Sequence, residues 1–323
     1  MGKWAALKTM KTQIENLQGQ QCSLIKALFF MRAVALIVTV ISAGCFASIT
    51  WTRTAQAVLM PDAIVDSGGV LNDAPYRDLG TQLTHQGKLL CLTVLVPGFG
   101  IGRRDTSAAF FNSLYALTAA HNVVDLLRYN PRYEISTGNN YLTNRGTVYQ
   151  VESVTVYPGF DGTKNTPDIA IIKFAQPILE FQDNVIGAAS AGDVLTSGGF
   201  GSYGTPSFGR IFPHNGAARG WQAKQWEYDP SGSDTSPVYY RSTIFGFFND
   251  GITINGMGLE GDSGGPVYNA AGELVGLTTA STGIAQNGQT VHLQLDNPQV
   301  YSWIQSMTVA PRRSAADIVG GRC

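Results

Sequence analysis

The sequence predicts an all-β protein that ends in a single helix and begins with an export segment. Three observations support this. From Val58 onward, short apolar or alternating runs of about four to eleven residues, the length of strands, are separated by Gly, Pro, Asn and Asp. Glycine is abundant, 37 of 323 residues, and supplies the positive-φ positions that tight turns need. Charged residues make up 14%, against roughly 25% in an ordinary soluble domain, which argues against a charged helical bundle.

The strand candidates are Leu89–Val96, Phe110–Leu117, Thr147–Tyr157, Ile169–Phe174, Val194–Phe200, Val238–Phe248 and Glu273–Thr278. A 3.6-residue period emerges near the end, where Asn297–Thr308 carries Val300, Ile304 and Met307, with Pro298 placed to start a helix. Gly198–Asn255 is rich in Gly, Pro, Ser and aromatic residues and is expected to hold long loops. Pro311–Cys323 reads as a polar tail. No internal repeat of solenoid length is visible.

The leader, residues 1–57, carries Lys3, Lys8, Lys11, Lys26 and Arg32 against a single acid, Glu15. The uncharged run Ala33–Thr52 follows, and about 20 apolar residues suffice to cross a bilayer as a helix. The basic flank favours a cytoplasmic N-terminus, so everything after the run is expected outside the cytoplasm. Two forms fit. One is a secretory signal cleaved after Ala55-Gln56-Ala57, giving a secreted or periplasmic protein. The other is an uncleaved anchor that tethers the chain to the membrane through residues 33–52. Ser42 stands where a lipoprotein site before Cys45 wants a large aliphatic residue, so lipidation is not expected.

A net charge of −1 gives no electrostatic reason to expect nucleic acid as a partner. The four cysteines, Cys22, Cys45, Cys91 and Cys323, show no metal-ligand spacing. Cys91 and Cys323 are either a pair or two free thiols.

The most informative stretch is Gly261-Asp262-Ser263-Gly264-Gly265-Pro266. A serine hydroxyl needs an adjacent base to act as a nucleophile, and donors for the oxyanion that forms on attack. Flanking glycines keep Cβ atoms away, so a substrate carbonyl can approach the Gly261 and Ser263 N–H groups. Of the four histidines, His121 ends the run Tyr115–His121, where a strand gives way to small residues. His85, His214 and His292 have polar or loop-like neighbours and read as structural or surface residues. Asp168 heads the apolar run Ile169–Phe174. A lone carboxylate is costly to bury there, and a histidine partner would remove that difficulty. Asp161 and Asp183 sit in turn-like, solvated contexts.

The order His–Asp–Ser, with Thr118-Ala119-Ala120-His121, Asp168–Phe174 and Gly261–Pro266, resembles the trypsin-like (chymotrypsin-fold) serine proteases, bacterial members especially. The three residues are 47 and 95 positions apart, spacings compatible with that family. The resemblance spans roughly Ala63 to Thr308. It implies two six-stranded antiparallel β-barrels, over 58–180 and 181–310, with the tail at 311–323. His121 and Asp168 would come from the first barrel and Ser263 from the second. Pro298–Thr308 would pack back on the first barrel. The reaction implied is hydrolysis of a polypeptide substrate through an acyl-enzyme, with no cofactor or metal.

Departures from the family accompany the likeness. Asn122 and Leu259 stand where many members have half-cystines. In zymogen-type relatives a new N-terminus pairs with the aspartate before the serine, here Asp262, and no convincing N-terminal sequence precedes His121. The resemblance puts Met257 at the floor of the specificity pocket and Thr278–Ser281, with Thr279 and Ser281, along its wall. An apolar or small residue before the scissile bond is then expected, and no requirement for Arg or Lys. Glu260 reads as exposed.

Two other classes compete. Gly261-x-Ser263-x-Gly265 also fits the nucleophile elbow of lipases, but that fold needs its acid and then its histidine after the serine. Only 60 residues remain here, with His292 before Asp296. A catalytically inactive homologue acting as a binding module is the stronger rival, although such relatives usually lose a triad residue and all three are present.

Overall fold

A computed structural model describes residues 59–66, 69–96, 102–162, 166–207, 209–211, 215–226, 239–243, 252, 254–281 and 289–308, all within one compact unit. The leader, His214, Cys323 and the tail lie outside them. β1 (Leu89–Val96), β2 (Gly102–Asn112), β3 (Tyr115–Thr118), β4 (Arg132–Ser136), β5 (Val148–Val156) and β6 (Ala170–Phe174) close into an antiparallel barrel in the order β1-β2-β3-β6-β5-β4. β7 (Val194–Gly199), β10 (Arg219–Trp226), β11 (Tyr239–Thr243), β12 (Pro266–Tyr268), β13 (Leu274–Ser281) and β14 (Gln289–Gln294) close a second, in the order β10-β11-β14-β13-β12-β7. β8 (Tyr203–Thr205) and β9 (Gly209–Ile211) form a separate hairpin. The two-barrel expectation is met.

Burial on both faces explains the near-continuous apolar strands. In β1, Leu90, Leu92 and Val94 enter the first barrel's core with Phe110, Ile135, Ile172 and Phe174. Leu89 and Cys91, on the opposite face, join Phe200, Tyr268, Leu277 and Leu293 between the barrels. β6 divides in the same way: Ala170, Ile172 and Phe174 point inward, while Ile171 reaches the shared cluster with Ile169. Each such side chain contributes about 1.5–3 kcal/mol by leaving water. The same partition fixes the register that delivers Asp168 to the head of β6. Cys91 is a buried free thiol, and burial pushes its pKa up.

Two local readings needed adjustment. The expected single strand Phe110–Leu117 is the end of β2, a turn and β3. In the last helix, α2 (Pro298–Thr308), Val300, Ile304 and Thr308 are buried, and Met307 is exposed. Trp303 meets Tyr157 edge-on at 5.1 Å, and Gln299 donates to the Tyr157 hydroxyl, so the helix packs on the first barrel.

Helix α1 (Ala74–His85) was not foreseen. It buries Tyr76, Gly80, Leu83 and Thr84, a set with too few aliphatic residues to print a period. Gly80 lies directly on the Ala218–Arg219 backbone. The preceding Asp73 accepts from Arg219 Nε at 2.9 Å and Nη2 at 2.5 Å, and the Arg219 side chain is wholly buried.

Candidate active site

β3 ends at Thr118 and a 3-10 turn, Ala120–Asn122, follows. That turn lifts His121 off the strand end. Its Nδ1 lies 2.5 Å from Asp168 Oδ2, and its backbone N–H donates to Asp168 Oδ1 at 2.9 Å. Asp168 is buried, and each of its carboxylate oxygens meets a His121 nitrogen. With Nδ1 held by the carboxylate, Nε2 is left free to serve as a base.

Ser263 follows a loop whose shape depends on glycine. Gly261 has φ 95° and Gly264 has φ 84°. A Cβ on Gly264 would lie 2.2 Å from Thr118 Oγ1, so only glycine lets the loop close on the first barrel. The loop is then tied down from that side. Asn122 Nδ2 donates to the Ser263 carbonyl at 2.7 Å, and Thr106 Oγ1 to the same oxygen at 3.1 Å. Ser107 Oγ donates to the Gly261 carbonyl at 3.0 Å. Asn122 therefore links the histidine segment to the serine segment by a hydrogen bond at the position where many relatives place a half-cystine. Thr106, Ser107 and this role of Asn122 were not legible beforehand, because their partners lie 141 or more residues away. The Ser263 hydroxyl itself donates to the Thr279 carbonyl, at 3.4 Å.

Asp262 is fully buried. Its Oδ1 accepts from the Gly201 N–H at 3.1 Å and its Oδ2 from the Leu259 N–H at 2.9 Å. Burial pushes its pKa up, against those two hydrogen bonds and the charge of Arg219. Among the described residues, these two amides are what orient the carboxylate.

The pocket residues divide. Thr279 and Ser281 lie on β13, and the Thr279 carbonyl is the acceptor of the Ser263 hydroxyl. Met257 is fully buried in a cluster with Leu59, Ala223 and Leu259, so its side chain is committed to packing. Beside it, the Gly258 N–H donates to Thr290 Oγ1 at 2.9 Å, and Thr278 Oγ1 lies 3.4 Å from His292 Nδ1. His292 is fully buried on β14. Of the structural and surface roles that the sequence leaves open for it, its burial on a strand fits the structural one. Glu260 is exposed, as expected, and close enough to act on the charge of Arg104.

Two comparisons with known proteins bear on this arrangement. The chain resembles a crystal structure of the scabies mite inactivated protease paralogue S-I1. It matches that structure with a TM-score of 0.52 at 18% identity, over 71% of this chain and 97% of the other. At that identity the likeness is one of fold. The family model for trypsin matches residues 100–304, more than half of the chain, including His121, Asp168 and Ser263. By that match the chain belongs to the trypsin family, the trypsin-like serine proteases.

Proposed function

We propose that this protein is an active serine endopeptidase in which His121, Asp168 and Ser263 form the catalytic triad. The observation that carries the reading is the doubly bound His121–Asp168 pair, together with the Asn122 hydrogen bond that ties the serine loop to the same segment. In the reaction, Ser263 Oγ turns from the Thr279 carbonyl to His121 Nε2, gives up its proton and attacks the scissile carbonyl. Asp168 stabilises the imidazolium, which protonates the leaving amine, and water then hydrolyses the acyl-enzyme by the same route reversed. The Gly261 and Ser263 N–H groups donate to the oxyanion. Neither has a protein acceptor among the described residues, which leaves both available for that purpose.

A second reading, an inactive homologue that binds without cleaving, is favoured by the structural likeness to an inactivated paralogue and by the Ser263–Thr279 bond. Labelling with a fluorophosphonate probe separates the two, because it requires an activated serine. The wild type should label and cleave peptides. Ser263→Ala should do neither while remaining folded, a loss on the order of 10⁴-fold or more.

Gly256, Met257, Gly258 and Leu259 carry no carboxylate, and a buried cation without one goes uncompensated. The preference is therefore for an apolar or small residue before the scissile bond. In the same assay, matched peptides with Phe, Leu or Ala should exceed those with Arg or Lys in kcat/KM, and the reverse order would overturn this pocket. An exported location belongs to the proposal too. It rests on the basic leader and the apolar run 33–52, and a full-length, soluble cytoplasmic pool would contradict it.

A further inference from the structure

The described chain begins with a short segment whose contacts converge on the loop that carries Ser263. Leu59 and Met257 form a reciprocal pair: the Leu59 N–H donates to the Met257 carbonyl at 2.8 Å, and the Met257 N–H to the Leu59 carbonyl at 3.1 Å. The next residue turns to the separate β8–β9 hairpin, where the Met60 N–H donates to the Gly204 carbonyl at 2.9 Å. Asp62 holds the same hairpin through the Ser207 N–H and hydroxyl, at 3.0 and 2.9 Å. Both apolar side chains are fully buried. Leu59 packs with Met257, Leu259 and Ala223, and Met60 with Trp221 and Tyr76. The Tyr76 hydroxyl in turn donates to the Asn255 carbonyl at 2.7 Å.

The two backbone stretches joined in this way, 201–207 and 255–259, are the ones whose amides hold Asp262. Gly201 lies three residues before Gly204, and Leu259 two residues after Met257. Asp262 sits between the two proposed oxyanion donors, Gly261 and Ser263. A shift of its carboxylate therefore moves both donors.

We propose that Leu59–Asp62 is a positioning strap for the oxyanion loop. By clamping Met257 and Gly204 it keeps the Leu259 and Gly201 amides on Asp262, and so sets the Gly261 and Ser263 N–H groups. Leu59 is the central positioning residue, since it contributes both the backbone pair and the contact with Leu259. The catalytic consequence rests on the protease reading above, whereas the structural coupling does not.

The test uses the full chain with Leu59→Ala, the milder Leu59→Val and the volume-conserving Leu59→Met. Three quantities are measured: kcat and KM on one peptide, affinity for a peptide boronate, and hydrogen exchange at the Gly201 and Leu259 amides. Displacements of about 1 Å can cost on the order of a hundredfold in rate, so Leu59→Ala should lower kcat by roughly ten- to a hundredfold. Boronate affinity should fall in parallel, with KM within about twofold of wild type. The two amides should exchange faster in the same variant. Leu59→Val should fall between, and Leu59→Met should restore all three readouts. If Leu59→Ala does not fold, Leu59→Val decides the matter by the same split. Folded variants with wild-type kcat and wild-type protection at both amides would overturn the strap. A wild type that fails to label with fluorophosphonate would strike the protease reading alone, and the exchange measurement would then decide the strap.

Discussion

Burial holds the His292 imidazole neutral and pushes its pKa down to about 3. An unfolded chain offers the same imidazole an ordinary value near 6.5. Between those two values the unfolded state binds the extra proton. Unfolding free energy therefore rises with pH across that window, and the stabilisation present above pH 6.5 is lost as pH falls towards 3. From pH 7.5 to 5 this one residue should account for roughly 2 kcal/mol. Urea titrations of wild type and His292→Gln at both pH values measure it, and an equal loss in the two proteins would contradict it. The individual residues also divide by how readable they were. Gly261–Pro266 and Thr118–His121 are contiguous, so the chemistry they imply could be read along the chain. Asn122, Thr106 and Ser107 act across 141 to 157 residues. Met257 was placed by its position relative to Ser263, and its commitment to the Leu59 cluster depends on a segment 198 residues earlier.

At the scale of the elements, strands such as Leu89–Val96 were legible because burial on both faces leaves them almost wholly apolar. α1 was not, because the surface it packs on is partly polar: the Asp73–Arg219 pair at its start, and Arg219 stacked over the Tyr203 ring at 3.7 Å. Burial lowers the Arg219 pKa, and the charge of Asp73 opposes that shift. Removing Asp73 would strand a fully buried guanidinium. Asp73→Ala should therefore cost about 3–5 kcal/mol of stability, read as a lower denaturation midpoint. The double variant Asp73→Ala, Arg219→Met should recover much of that loss, because no buried charge is then left unpaired. If the single variant were as stable as wild type, the pair would not anchor α1.

Across the whole molecule, the two barrels were inferred from the order of three motifs, not from strand counts. Several strands are short, β8, β9 and β12 having three residues each, too few to print a period. The shared cluster of Leu89, Phe200, Tyr268 and Leu293 shows why both halves are needed. It holds the two barrels together, and in the proposed reaction His121 from one and Ser263 from the other act on a common substrate. That convergence is the central claim, and reaction with a fluorophosphonate followed by peptide mapping tests it most directly. The account predicts a single stoichiometric adduct on Ser263, abolished in Ser263→Ala and sharply slowed in His121→Ala. A folded wild-type protein that forms no adduct, or forms it on another serine, would contradict it.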